Sequence, residues 1–342
     1  MKKSTFLFLT AALLCCQLFT GCGRKNQGPV SKSGFYLNTV ITVTIYQPAP
    51  ETVLDDCFAL AAHYESLLSN TIPESDVSRI NAAGGKPVAV SEETIDLLNA
   101  GISYGELSGG SFDITIGRLS GLWDISTKAL LKETDASMVP DAEEIADACQ
   151  TIDYHSIQIN GTEVSLTNPD TQLDLGGIAK GYIADRMKEF LNEKGITSGF
   201  INLGGNFLAL GPKQDGSAYT VGIQKPFAEN GTSIATVAVT DETVVSSGIY
   251  ERYFTANDVL YHHILDAATG YPYQNDLLGV TIITDSSMDG DALSTTCFSL
   301  GLSEGMALVE RLPDTEAIFI TDDYKLHTSS GMGSEIPFSI VP

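Results

Sequence analysis

Hydrophobic and polar positions change period several times along the chain. In residues 38–46, "NTVITVTIY", β-branched residues alternate with others at the period of a strand. Over 52–69, Val53, Cys57, Leu60, Ala61, Tyr64 and Leu68 recur at helical spacing and predict an amphipathic helix. A second helix is predicted over 91–108, with Ser91 placed to cap it. Residues 156–167 are two alternating runs about Asn160-Gly161, a pair that tolerates positive φ and so closes a tight hairpin. A helix over 178–194, stopped by Gly195, leads into short strand-like runs in "SGFINLG", "YTVGIQ", "IATVAVT", "HHILD" and "GVTIIT". Helices over 289–301 and 303–312 precede a last hairpin in "EAIFITDDYKLHTSS". Helices and strands interleave without a regular βαβ period, so the pattern predicts a mixed α+β fold on a largely antiparallel sheet.

The N-terminus follows another pattern. Lys2 and Lys3 precede an apolar run over 5–14 and the small-residue site Thr20-Gly21-Cys22, as in a secretion signal. The run is shorter than the ~20 residues of a membrane span. The site resembles a bacterial lipobox, with Cys22 as the residue to be diacylated. Phe19 stands where Leu is usual, so plain secretion is the alternative. The expected organisation is a lipoprotein signal peptide over 1–21, a tether over 22–34 and one domain over 35–342. Lipidated Cys22 would then hold the domain on the extracytoplasmic face of the cell membrane.

Charge narrows the partners. The net charge of −24 becomes −26 without Lys2 and Lys3, because residues 1–21 contain no acid. Such a surface repels nucleic acid, and a polyanionic ligand needs a local device such as a helix N-terminus or a metal ion. Beyond Cys22 the cysteines are Cys57, Cys149 and Cys297, odd in number and widely spaced, which is neither a disulfide framework nor a zinc motif. They read as small buried hydrophobes, or as one bridged pair in an oxidising compartment.

Candidate chemistry begins at 173–187, "LDLGGIAKGYIADRM", which reads as a strand end running through two glycines into a helix. It fits neither the dinucleotide fingerprint nor the P-loop. The helix start at Gly177 would offer unpaired N–H groups to an anion, with Lys180 in reach; a simple tight turn is the other reading. "FINLGGNFLALG" (200–211) carries the same ambiguity. In "DGDALSTTCFSLG", Asp291 and Thr295 share a helical face, a carboxylate and a hydroxyl suited to Mg²⁺, unless Asp291 only serves the helix dipole. In "HHILDAATGYP", His263 and Asp266 pair as a base and its orienter, or His263 is a structural hydrogen bonder. "SGGSFDITIGRLSGLWD" sets Phe112 and Asp113 beside glycines, for gripping a planar ring or packing a loop.

Taken in order, "SGGSFDITIGRLSGLW", "LDLGGIAKGYIADRM", "INLGGNFLALG", "HHILDAATG" and "DALSTTCFSLG" resemble the successive signatures of the ApbE-type family, the FAD:protein FMN transferases. The resemblance spans residues 35–325 and includes the leader. It implies FAD as substrate, Mg²⁺-dependent cleavage of its pyrophosphate, and transfer of FMN to a Thr or Ser of an acceptor flavoprotein, with release of AMP. By similarity Asp291, Thr295 and the Gly177 carbonyl are metal ligands. Leu37, Ser111, Phe112, Asp113, Asp174, Lys180 and Ile264 fall on flavin-nucleotide contacts, and His263 falls on the catalytic position. Thr71 replaces an aromatic of the family pattern, with Tyr36 as an alternative stacking ring. Ala267 follows Asp266 where Pro is usual, and Leu37-Asn38-Thr39 replaces Met-Gly-Thr. With the same residues, the alternatives are an FAD pyrophosphatase that yields FMN and AMP, or a non-catalytic FAD-binding lipoprotein.

Overall fold

The computed structural model describes residues 28–50, 52–131 and 135–341. The signal segment and Cys22 lie outside the described residues.

Eight strands form one antiparallel sheet. In sheet order they are β1 (Val30–Tyr36), β2 (Thr39–Ile45), β6 (Gly199–Leu203), β7 (Asn206–Leu210), β10 (Thr243–Gly248), β13 (Leu277–Thr284), β14 (Thr315–Thr321) and β15 (Leu326–Thr328). β13 is buried along its whole length because both sheet faces are covered. On one face lie α1 (Thr52–Leu68), α7 (Ala179–Glu193) and α8 (Ser287–Val309). Val280 and Ile282 pack there with Leu293, Cys297 and Phe298 of α8. On the other face β8 (Tyr219–Gln224), β9 (Ser233–Val239) and β16 (Phe338–Ile340) form a small sheet, where Tyr219 and Val237 meet Val244, Ile283 and Ile318. α8 is long and apolar enough to cross a membrane by composition. It is a core helix here, with Ala292, Cys297 and Phe298 fully buried.

The remaining elements frame one end of this stack. α2 (Asp76–Ala82) and α3 (Glu92–Ser108) lie beside the three-stranded sheet of β3 (Val88–Ala89), β4 (Ile157–Asn160) and β5 (Glu163–Leu166). Ser91 accepts from Thr94 N and caps α3, as its position predicts. α4 (Gly117–Trp123), α5 (Ile125–Lys128) and α6 (Ala142–Cys149) surround the hairpin of β11 (Tyr253–Ala256) and β12 (Val259–His262).

The sequence-based boundaries differ in four places. Residues 30–34, expected in the tether, belong to β1, whose Lys32 and Gly34 pair with Val43 and Ile41. The two helices near 289–312 form α8, broken at Gly301, where φ of 78° is non-helical. "HHILD" is not one strand, because β12 ends at His262 and the chain bends at His263. "FINLGG" continues as the β6–β7 hairpin, so Gly204 and Gly205 are its turn. Cys57, Cys149 and Cys297 are all unbridged.

Candidate functional site

The site forms where α7 begins and α8 passes beneath it. Residues 172–174 are extended but not part of a strand: Asn81 of α2 clamps Leu173 from both sides (3.0 and 2.7 Å), and Asp174 N donates to Ile114 O at 2.8 Å. The chain then turns through Gly176 and Gly177 into α7. Asp174 is pinned in this turn, one oxygen accepting from Gly176 N at 2.9 Å and the other from Ser120 Oγ at 2.6 Å. A Cβ at Gly177 would meet the Phe112 ring at 3.1 Å and Thr295 Oγ1 at 3.9 Å, so the glycine brings backbone close to both. Phe112 is buried edge-on against Tyr104, 5.9 Å between centroids.

α7 and α8 touch at Gly181, where any Cβ would collide with the Ser287 carbonyl. That contact sets Asp291, on the second turn of α8, under the start of α7. Asp291 is 4% exposed, too dry for a bare carboxylate. Two donors satisfy it in three contacts: Gly181 N at 3.0 Å and the Lys180 ammonium at 3.0 and 3.2 Å. Lys180 also donates to Gly176 O at 2.9 Å. Asp291 is therefore no helix cap; Ser286 and Asp185 do that work. One turn along α8, Thr295 Oγ1 lies 3.2 Å from Ser247 Oγ, itself 2.7 Å from Ser294 Oγ.

His263 lies at the bend after β12. Its Nδ1 lies 3.3 Å from Arg252 O, an acceptor only, so Nδ1 carries the proton and Nε2 has the free lone pair. Desolvation, then the Arg252 charge and the His262 ring beside it, lower its pKa to about 3, so the ring is neutral. Asp266 is not its orienter. That carboxylate accepts from Ala268 N and Thr269 Oγ1 within its own turn. The bend is held by Trp123, whose ring packs on Tyr261 at 5.3 Å and whose Nε1 donates to Gly270 O at 2.7 Å.

Other residues singled out from sequence are spent differently. Asp113 is buried and accepts at one oxygen from Thr115 (2.8 and 2.6 Å) and at the other from Tyr154 N (2.9 Å), so its carboxylate ties its own loop to the segment at Tyr154. The Ser111 carbonyl accepts from Tyr273 Oη at 3.4 Å. Leu37 is half-buried at the β1–β2 turn with φ of 53°, its N–H on Glu65. Ile264 is a core side chain whose N–H meets His262 Nδ1 at 3.3 Å. Thr71 is exposed and bonded to Ser69, while Tyr36 packs on Phe58.

Ser120, Ser247 and Arg252 escaped sequence reasoning, because each meets its partner, Asp174, Thr295 or His263, from a distant part of the sequence or around a hairpin. A cavity of about 490 Å³ between α3 and α8 is lined mostly by apolar side chains such as Leu107, Leu293 and Leu312. The Tyr104 and Phe112 rings stand between it and Gly177.

Among the described residues no three His, Cys, Asp or Glu side chains gather as a metal cluster. A cation here would draw on one carboxylate, one hydroxyl and one carbonyl, from Asp291, Thr295 and Gly177. That set leaves room for water and phosphate oxygens, which suits Mg²⁺. The fit is supported by Asp291 already holding a cationic group, the Lys180 ammonium.

Comparison with known proteins agrees with this layout. The sequence profile of the ApbE family matches residues 37–319. A Treponema pallidum protein named FAD:protein FMN transferase is 33% identical over 354 residues, covering 97% of this chain and 96% of its own. A Klebsiella pneumoniae protein of the same name is 36% identical over 303 residues, covering 88% and 92%. Among solved structures, the ApbE protein of Thermotoga maritima superposes with a TM-score of 0.79 at 29% identity, covering 88% of this chain and 97% of its own. The flavin transferase ApbE of Vibrio cholerae gives 0.76 at 27% identity, with the same coverage.

Proposed function

Because the chain belongs to the ApbE family and is a transferase, we propose that it moves FMN from FAD to a Thr or Ser of an acceptor flavoprotein, releasing AMP. The observation that carries this reading is the meeting of Lys180, Gly181 and Asp291, with Thr295 and Gly177 beside them. It is a cation-ready carboxylate at the start of a helix, in a molecule whose overall charge repels anions.

Asp291, Thr295 and the Gly177 carbonyl would hold Mg²⁺. When bound, Mg²⁺ offsets the charge of the pyrophosphate and of the departing AMP. Lys180 binds a phosphate oxygen, Asp174 holds the Gly176 turn against the nucleotide, and Phe112 supports Gly177 from below. Leu37, Ser111 and Ile264 complete the nucleotide contacts. The acceptor hydroxyl oxygen bonds to the FMN phosphorus, the bond from that phosphorus to the bridging oxygen breaks, and AMP leaves with that oxygen. The hydroxyl proton goes to His263 Nε2, left free by the Nδ1 bond to Arg252. A pyrophosphate placed near His263 raises its basicity from the depressed resting value, so substrate binding itself prepares the base.

The reaction is placed outside the cytoplasm, with residues 1–21 removed as a signal peptide and lipidated Cys22 in the membrane. Incubation of the protein with FAD, Mg²⁺ and a co-expressed candidate flavoprotein should add one FMN mass to a Thr or Ser peptide. Release of FMN and AMP with no adduct would make it a pyrophosphatase. FAD bound and intact would make it a carrier.

A further inference from the structure

Ser247 of β10 stands behind Thr295. The alternation of the strand points Thr243, Val245 and Ser247 at α8, where they meet Ser287, Gly290 and Ser294 at helical spacing. Thr243 Oγ1 lies 3.2 Å from Ser287 Oγ, a Cβ on Gly290 would touch the Val245 side chain at 2.9 Å, and Ser247 Oγ lies 2.7 Å from Ser294 Oγ. Ser247 and Ser294 are 8% and 0% exposed, so their hydroxyls find their partners within the protein. A hydroxyl has one proton to donate, and that fixes the direction of the chain of bonds. Ser294 Oγ is 3.0 Å from the Asp291 carbonyl, which can only accept, so the Ser294 proton goes there. Ser294 Oγ then accepts from Ser247 Oγ. With its proton on Ser294, Ser247 can only accept in turn, and its 3.2 Å contact with Thr295 is a bond that Thr295 donates. Among the described residues Thr295 Oγ1 accepts no hydrogen bond, so its lone pairs stay open.

We propose that Ser247 is a positioning residue for the candidate cation site: it takes the Thr295 hydroxyl proton and so holds that oxygen with its lone pairs available to a hard cation. A threonine in a helix has two accessible χ1 rotamers, because its hydroxyl can also bond back to a carbonyl one turn earlier. For Thr295 that carbonyl is Asp291 O, where Ser294 already donates. Ser247 selects between the two. A hydroxyl turned back to Asp291 O would move its oxygen from the place it now has beside Gly177, 3.9 Å from where a Cβ there would stand. Partners that orient a metal ligand in this way typically change metal affinity by about tenfold to a hundredfold when removed.

The inference rests on the proposed ligand role of Thr295, so the test reads metal binding and not turnover. Mn²⁺ titrated into the full chain without FAD, with free Mn²⁺ read by electron paramagnetic resonance, gives the affinities. Ser247→Ala should weaken Mn²⁺ by about tenfold. Ser247→Thr, which keeps the hydroxyl on a β-branched residue suited to a strand, should bind within about threefold of the parent. In a Thr295→Val background, itself weakened by about tenfold or more, Ser247→Ala should change nothing further. Ser294→Ala frees the Ser247 proton to turn onto Thr295 and should weaken Mn²⁺ by about threefold; it also serves if Ser247→Ala does not fold. Equal weakening by Ser247→Ala with and without the Thr295 hydroxyl would reduce Ser247 to packing and overturn the proposal. Unchanged binding in Ser247→Ala or in Ser294→Ala, with Thr295→Val weak, would do the same. A Ser247→Thr protein as weak as Ser247→Ala would point to side-chain size and also overturn it. Undiminished binding in Thr295→Val would remove Thr295 as a ligand, and this reading with it. Mn²⁺ binding that meets every expectation in a parent without FAD turnover would instead count against the proposed reaction alone.

Discussion

His262 and His263 are adjacent, and the bend between them sends their rings into different surroundings. His262 is 3% exposed, edge-on to Phe298, with Ile264 N donating to Nδ1 and Nε2 facing Tyr273 O. Burial lowers its pKa from 6.5 to about 4, so folding favours the neutral ring. The unfolded chain then binds the extra proton first. The stability His262 contributes is complete above pH 6.5 and is lost as pH falls from 6.5 to about 4, by up to about 3 kcal/mol. Urea unfolding of the parent and of His262→Gln between pH 7.5 and 4.5 should show the gap between them narrowing toward acid. A gap independent of pH would contradict the assignment. On the proposed mechanism His263 is the base, and its replacement acts on chemistry. His263→Ala should lower the transfer rate by about 10²-fold to 10⁴-fold, while FAD affinity by flavin fluorescence stays within about threefold; equal losses in both would make it a binding residue.

At the scale of elements, the site depends on how α7 and α8 cross. Asp185 of α7 accepts from Ser287 N at 2.8 Å and Met288 N at 2.9 Å, capping α8 from a neighbouring helix. Gly181 lets the two backbones touch one turn earlier. Asp185→Ala leaves two part-buried N–H groups without their cap and should cost about 2 kcal/mol of stability. Gly181→Ala keeps every hydrogen-bonding group but must push α8, and Asp291 with it, away from Lys180. It should therefore lose metal-dependent FAD cleavage by at least about tenfold even where the protein remains folded by circular dichroism; unchanged cleavage would show that the crossing does not set the site. These elements were legible to different degrees. Asn160-Gly161, Ser91 and Gly195 act within their own few residues, so their turn, cap and stop could be read directly from sequence. Asp291 with Thr295, and the glycines after Asp174, could be matched to a resemblance but not to each other by spacing, since their meeting is made by the sheet. Asp266 misled because a short acid beside a glycine turn looks alike whether it orients a histidine or caps its own turn. Ser120 and Ser247 carry no local pattern at all.

At the scale of the molecule, a sheet order that sets β6 and β7 beside β10 and β13 brings α7 and α8 together across 110 residues of sequence. The site thus opens at one end of a rigid, doubly covered sheet, while the N-terminal edge strand β1 starts at Val30. On the proposed anchor, seven residues lie between Cys22 and Val30, and a fully extended chain of the eight Cα–Cα steps reaches at most about 28 Å. The start of the domain would stay within that distance of the lipid, so acceptors at the membrane surface are met at high local concentration and freely diffusing ones are not. Two acyl chains on one cysteine give stable anchoring where one would not. Cys22→Ser should therefore move the protein from the membrane to the soluble fraction of the cell envelope. FAD cleavage by the purified protein should be unchanged, whereas flavinylation of a membrane-bound acceptor in cells should fall by about tenfold or more, the loss of effective concentration. A parent protein found soluble, with an unmodified Cys22 by mass spectrometry, would rule out the anchor. An acceptor flavinylated equally well by the Cys22→Ser form would show that it does not need the membrane to find the site.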